Sequence, residues 1–236
     1  MDKDIKIAVL IDADNVPSTQ VNEMMEEIAK YGNPTIKRIY GDWTKLGKWK
    51  NVLLENAINP IQQYGYTTGK NATDSAMIID AMDILYSDKV NGFCLVSSDS
   101  DFTKLATRLR ESRMLVIGMG EKKTPNPFIV ACDKFIYLEI LQASATKDNG
   151  KNKMDSPVQL DKINPKLIRL ISSTISDLAE DDGWAFMGDI GNLLQKKQPN
   201  FDSRNYGFQK LTPLVSAIPN FEVERREKLI YVRNKE

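Results

Sequence analysis

A chain of 236 residues, 42% hydrophobic and 27% charged, has the length for one large domain or two smaller ones and the composition of a soluble globular protein. Its 32 basic and 32 acidic residues cancel without segregating: residues 1–145 hold 17 basic and 19 acidic side chains, and residues 160–236 hold 12 and 11. Histidine is absent, which excludes histidine-based nucleases, Ser-His and Cys-His triads and most catalytic zinc sites. The two cysteines, Cys94 and Cys132, lie in apolar runs without C-x-x-C spacing and read as buried free thiols. No apolar run approaches the roughly 20 residues that span a bilayer. The charged start Met1–Lys6 and the short run Ile7–Ile11 do not make a signal peptide, so cytoplasmic residence is the default expectation.

Up to Leu141, short apolar runs alternate with helical patterns. Ile5–Ile11 reads as a buried strand, and Val21, Met24, Met25 and Ile28 follow at i, i+3, i+4 and i+7 until Gly32 stops the helix. Further strands are expected at 36–40, 60–64, 92–97, 115–119 and 135–140, with helices near 48–56, 74–86 and 102–113. Repeated strand and helix predict an α/β domain over residues 1–142, with a parallel sheet covered by helices on both faces.

Apolar periodicity disappears between Ala143 and Gln159, where Ser, Lys, Asp, Asn and Gly dominate, so 143–159 reads as a flexible linker. A second domain follows over 160–236. Leu167, Ile171, Ile175 and Leu178 form a helical stripe ended by Asp181-Asp182-Gly183, a second helix is expected around 187–194, and a third lies within 203–218, shortened or kinked by Pro213. Phe221 and Val223 alternate with charges, 226–228 turns, and 229–232 returns, giving three helices and a two-stranded wing. With both halves near neutral, a nucleic acid must be held by local clusters such as Lys37, Arg38, Lys45, Lys48 and Lys50, or Lys196, Lys197, Arg204 and Lys210; the bland alternative is a solvated surface.

Four aspartates fall where open parallel sheets build their sites. Asp12 and Asp14 follow the first expected strand in Ile11-Asp12-Ala13-Asp14-Asn15, and Asp99 and Asp101 follow the fourth in Ser97-Ser98-Asp99-Ser100-Asp101-Phe102. If these strands flank the point where strand order reverses, their carboxyl ends bound the crevice in which such sheets hold ligands. Asp74, opening the third expected helix, can reach the same crevice. Two unit charges about 4 Å apart repel by about 4 kcal/mol at an effective dielectric near 20. Protonation relieves this, but Mg²⁺ or Mn²⁺ does so better, because these ions prefer carboxylate and water oxygens in octahedral geometry. An ion so held favours ionisation of water and stabilises charge on a phosphate and its leaving oxygen, which is phosphodiester hydrolysis without histidine.

Each aspartate also has a structural reading. Asp101 can cap a helix from Phe102, Asp74 can complement a helix dipole behind a Thr73 cap, and Asp14 with Asn15 can shape a turn before Pro17. The convergence of two Asp-x-Asp motifs and a helix-opening aspartate favours the joint, functional reading. Asp80 and Asp83 face other sides of their helix and read as solvent-facing or structural. Lys70 either neutralises a phosphate or is a surface lysine in the Gly69-Lys70-Asn71 segment.

Over roughly the first 140 residues these features resemble the NYN domain, a branch of the PIN-like nuclease superfamily. The carriers are Asp12-Ala13-Asp14-Asn15, Lys70 followed by Asp74, and Ser98-Asp99-Ser100-Asp101-Phe102. The resemblance implies a PIN-like fold and a metal-dependent ribonuclease, with Asp12, Asp74, Asp99 and Asp101 as catalytic and metal-binding carboxylates under Mg²⁺ or Mn²⁺. Asn15 would support the substrate or a bound water, and Lys70 and Ser98 would lie on the substrate side. Ser98 stands where the family usually has Gly, and Asn71 where Gly is frequent; both alter loop geometry around an intact carboxylate set. Residues from about Asn164 to Asn234 resemble the OST-HTH domain, also called LOTUS, a small winged-helix module. Its carriers are Gly183-Trp184-Ala185, Ile190–Leu194, Phe201, Tyr206-Gly207-Phe208, Lys210-Leu211, Phe221-Glu222-Val223 and Leu229-Ile230-Tyr231-Val232. RNA, single-stranded or structured and G-rich included, is the implied partner. A protein partner through the C-terminal domain and a homo-oligomer stay open; a membrane is not implied.

Two rival functions remain at this stage. Asp-x-Asp after a first strand also opens haloacid-dehalogenase-like phosphatases, with a nucleophilic first Asp, although that pattern places Gly or Thr soon after the second Asp where this chain has Asn15-Val16-Pro17. The other rival is an RNA-binding or assembly protein whose acidic pocket no longer catalyses.

Overall fold

Residues 7–12 are buried without interruption, and that is what makes Lys6–Asp12 the central strand, β1. The structure, a computed structural model, describes residues 5–43, 49–63, 72–141 and 160–235. The chain divides into two compact units, Met1–Asp155 and Ser156–Glu236. Among the described residues no helix is long and apolar enough to cross a membrane. The linker expected at 143–159 lies outside the described residues.

In the first unit, α1 (Val21–Ala29), β2 (Asn33–Gly41), α2 (Lys50–Glu55), β3 (Asn59–Gln62), α3 (Ala72–Tyr86), β4 (Gly92–Val96), α4 (Thr103–Glu111), β5 (Leu115–Gly120), α5 (Asn126–Ala131) and β6 (Lys134–Tyr137) follow β1. The six strands form one parallel sheet in the order β3-β2-β1-β4-β5-β6, so the order reverses between β1 and β4, as the aspartate argument requires. Alternate side chains of each strand feed two cores. Ile7, Val9, Ile11, Cys94, Val96 and Ile117 pack with α1 and α2, whereas Ala8, Leu10, Tyr40, Phe93, Leu95 and Val116 pack with α3, α4 and α5. Each fully buried large apolar side chain stabilises the fold by roughly 1.5–3 kcal/mol. Both cysteines are buried and unbridged, and burial pushes the Cys132 thiol up to about 12.

Two elements depart from expectation. α5 has no counterpart among the expected helices; Pro127 falls in its first turn, where the missing N–H of proline has no partner to lose. The sixth strand stops at Tyr137, and 138–141 form a helical turn that buries Leu138, Ile140 and Leu141; an apolar run this short has no period that separates strand from helix.

The second unit contains α6 (Pro165–Leu178), β7 (Ala185–Phe186), α7 (Met187–Lys197), α8 (Leu211–Ser216), β8 (Phe221–Arg226) and β9 (Leu229–Asn234). Asn164 caps α6 by accepting the Lys166 and Leu167 N–H groups, both at 3.0 Å, ahead of Pro165. Pro213 falls in the first turn of α8, so the expected third helix is short and preceded by a 3-10 turn at Ser203–Tyr206. The wing has three strands, not two, in the order β7-β9-β8: Ala185–Phe186 adds to β9, and two residues are too few for a visible alternation.

Gly120 ends β5 against the switch point. A Cβ there would stand 2.5 Å from the Ser97 carbonyl oxygen and 2.7 Å from Thr124 Oγ1. Gly120→Ala is therefore expected to destabilise the protein by about 1–3 kcal/mol, seen as a lower thermal midpoint; an unchanged midpoint would show that β4 and β5 part freely at this end.

Candidate metal centre

β1 and β4 pair in parallel through Ile11↔Val96, which sets Asp12 opposite Ser97 at the carboxyl edge of the sheet. Asp12 is 1% exposed. Its carboxylate accepts the Asp14 backbone N–H at 3.1 Å, the Ser97 hydroxyl at 2.9 Å and the Asn15 side-chain amide. The Ser97 oxygen in turn accepts the Asp99 N–H at 3.1 Å. One buried hydroxyl thus ties the loop after β4 to the carboxylate after β1. Asn15, expected near substrate or a bound water, is found fixing Asp12.

Asp99 is the N-cap of the 3-10 turn Ser100–Phe102, accepting the Asp101 N–H at 2.9 Å, so the cap is Asp99 rather than Asp101. Asp74 sits in the first turn of α3, where the helix dipole favours its charge; Thr73 lies inside that turn. Asp74, Asp99 and Asp101 each offer one carboxylate oxygen, and these oxygens lie within 4.8 Å of one another. Among the described residues this is the one group of three or more His, Cys, Asp or Glu side chains so placed, and Asp12 is not in it. Asp12 nevertheless acts on Asp74: burial, and then the charges of Asp12, Asp99, Asp101 and Asp14, raise the Asp74 carboxyl to about 6. Burial also raises Asp12, against the lowering effect of its bonds from Asn15, Ser97 and Asp14.

Ser98 is buried, and its oxygen accepts the Glu121 N–H at 2.9 Å, which joins the loops after β4 and β5. Lys70 and Asn71 lie outside the described residues. Ser97 is the residue that sequence reasoning missed; the signal was a hydroxyl ending an apolar strand two residues before an Asp-x-Asp motif. Asp80, which the sequence leaves as solvent-facing or structural, accepts from Arg38 and Tyr40. The charge clusters are partly engaged: Lys37 donates to the Asn56 carbonyl, Lys197 pairs with Asp177 at 2.6 Å and Arg204 with Asp202 at 2.7 Å.

The donor set is oxygen-only, lacks sulfur and nitrogen, and concentrates negative charge, so it fits a hard divalent cation and not a soft one.

Two family models match the chain: the NYN domain over residues 6–139, followed by the OST-HTH/LOTUS domain over residues 159–229. No curated protein matches. Among solved structures, a protein of unknown function from Vibrio parahaemolyticus matches at 21% identity and a TM-score of 0.50, over 58% of this chain and 94% of that one; the likeness concerns the fold alone. An uncharacterized protein from Nitrosomonas europaea matches at 32% identity and a TM-score of 0.30, over 37% of this chain and 92% of that one.

The Asp74 carboxyl has an ordinary value of 3.8 and titrates in the fold near 6. A raised folded value contributes stability that is present below the ordinary value and lost as pH rises through the folded one. In metal-free buffer Asp74→Asn should therefore stabilise the protein at pH 7.5 by about 1 kcal/mol after solvent screening, seen as a higher thermal midpoint, and the gain should shrink towards pH 4. Thermal melts across that range check it; a gain independent of pH would mean that neither burial nor the neighbouring charges raise the Asp74 carboxyl.

Proposed function

The chain belongs to the NYN domain family, and we propose that Asp74, Asp99 and Asp101, with Asp12 beside them, hold Mg²⁺ or Mn²⁺ for the hydrolysis of RNA phosphodiester bonds. The observation that carries this reading is the approach of three carboxylate oxygens from two separate segments to within 4.8 Å at the switch point of a nuclease-like fold. Oxygens on one such ion lie about 2.0–2.1 Å from it, so a small side-chain rotation brings the three onto a common centre. When bound, the cation supplies charge neutralisation at the phosphate and lowers the cost of ionising a water.

The chain's own residues set the conditions. Asp12, buried and held by three donors, adds a fixed negative field that strengthens cation binding. Ser97 keeps the Asp99 loop in register with it. Ser98 and Lys70 belong to this proposal as substrate contacts: the Ser98 oxygen has accepted the Glu121 N–H, and its hydroxyl proton can still be donated to a substrate oxygen. The match of residues 159–229 to an OST-HTH/LOTUS domain supports a C-terminal RNA anchor that raises the local concentration of substrate at the carboxylates.

Labelled RNA and DNA, incubated with wild type and Asp99→Asn with and without Mn²⁺, test the chemistry. RNA cleavage should require the ion and fall at least about 100-fold in Asp99→Asn, with the thermal midpoint retained. Cleavage unchanged by that substitution, in highly purified protein, would sink the assignment.

Removing Ser156–Glu236 separates anchoring from chemistry. RNA affinity should drop about tenfold or more, while the single-turnover cleavage rate at saturating RNA stays within about twofold. Equal affinities of the full chain and residues 1–155 would exclude an anchoring role.

A further inference from the structure

Arg38 and Tyr40 are two residues apart on β2, so both side chains project from the same face of the sheet, the face that α3 covers. Tyr40 is fully buried among Ala8, Leu10, Met77 and Ala81. Its hydroxyl donates to one oxygen of Asp80 on α3, and Arg38 donates to the other. Both oxygens of the Asp80 carboxylate are therefore held by one strand, a two-point attachment that resists rotation of the helix about its axis as well as sliding along it.

The same strand position is fastened to the site from the other side. Tyr40 is the register partner of Asp12, and its carbonyl accepts the Ala13 N–H at 2.9 Å. Asp74 precedes Asp80 by six residues on one continuous helix, about 9 Å at 1.5 Å per residue. Towards the sheet α3 packs through apolar side chains such as Met77, Ala81 and Ile84, whose contacts are non-directional and tolerate small displacements. Directional bonds at Asp80 remove that freedom.

We propose that Asp80, with Arg38 and Tyr40, is a positioning residue that fixes α3 so that the Asp74 carboxylate stands at the right distance from Asp12, Asp99 and Asp101. The inference rests on the cation-binding reading of the cluster and adds its determinant of geometry. It assigns to a partly buried ion pair the role of specifying arrangement, whereas an apolar trio of the same volume would serve stability equally well.

The test is Mn²⁺ binding to the full chain, read from the electron paramagnetic resonance of free Mn²⁺, with RNA cleavage measured in parallel. Tyr40→Phe keeps the ring and removes one donor; Asp80→Asn keeps the shape and mismatches Arg38. Ile129→Val, a core change on α5, is the control for loss of stability alone. Tyr40→Phe and Asp80→Asn should weaken Mn²⁺ binding about threefold to tenfold, less than the loss typical of a partner bonded directly to a metal ligand. Cleavage at saturating Mn²⁺ should recover most of its rate, and Ile129→Val should bind Mn²⁺ as wild type does. Affinities of the two variants equal to that of Ile129→Val would overturn the proposal and reduce the trio to packing. Mn²⁺ binding that Asp99→Asn abolishes, without any RNA cleavage by wild type, would end the nuclease reading alone and leave the affinities to decide this inference. A wild type that takes up no Mn²⁺ overturns both.

Discussion

Like charges do not assemble unaided, and holding carboxylates together at the ends of β1 and β4 is the constraint around which the first unit is arranged. Each pair at close range repels by up to about 4 kcal/mol at an effective dielectric near 20, a sizeable share of the stability of a whole domain. The opposing terms are local. Asp12 receives three hydrogen bonds, and bonds to a charged group contribute about 1.5–3 kcal/mol each. They work against its burial, which still leaves the Asp12 carboxyl raised above its ordinary value. The Ser97 hydroxyl is the hinge of the arrangement, since it donates to Asp12 and accepts from the Asp99 N–H with a single oxygen.

The remainder of the unit supplies rigidity to that edge. β1 and β4 are interior strands, each paired on both sides and covered on both faces, so neither can shift without disturbing two cores. Gly120 lets β5 end close enough to β4 for the Ser98 oxygen to reach the Glu121 N–H. Asp74 comes from a different structural layer, at the start of a helix, and its placement depends on how α3 seats on the sheet rather than on strand register. Hence the site combines a strand-fixed part, Asp12 with Asp99 and Asp101, and a helix-fixed part, Asp74.

Much of this was legible in the sequence because the responsible signals are periodic or local. The uninterrupted apolar runs at 7–11 and 92–96 announce buried parallel strands, and the stripe of Val21, Met24 and Ile28 announces α1. The Asp-x-Asp pairs are visible because they directly follow such runs. What escaped is what depends on side-chain direction across the chain. Ser97 looks like the polite end of a strand until register places it opposite Asp12. Asp80 looks like a solvated helix residue until Arg38 and Tyr40, some 40 positions earlier, are seen on the facing strand. β7 is too short for any pattern, and α5 is a single short helix of six residues, Asn126–Ala131, with proline in its first turn. Asn15 took its expected role from the family resemblance and Asp101 its cap from its place before Phe102; the fold sets Asn15 against Asp12 and gives the capping role to Asp99.

The distribution of buried polar groups makes an independent argument for where function lies. A hydroxyl or carboxylate in a core stabilises less than an apolar group of equal size unless every bond is satisfied, so a fold selected for stability alone would have few of them. In the first unit Gln20, Glu27 and Lys134 are buried elsewhere, but Asp12, Ser97, Ser98 and Thr124, all less than a tenth exposed, gather at the carboxyl edge of the sheet or on the loops leaving it. Their bonds run to one another or to the backbone of neighbouring loops: Ser97 to Asp12, Ser98 to Glu121, Thr124 to the Glu121 carbonyl. Loops at this edge must hold charged side chains in fixed positions, and directional bonds achieve that where apolar packing does not.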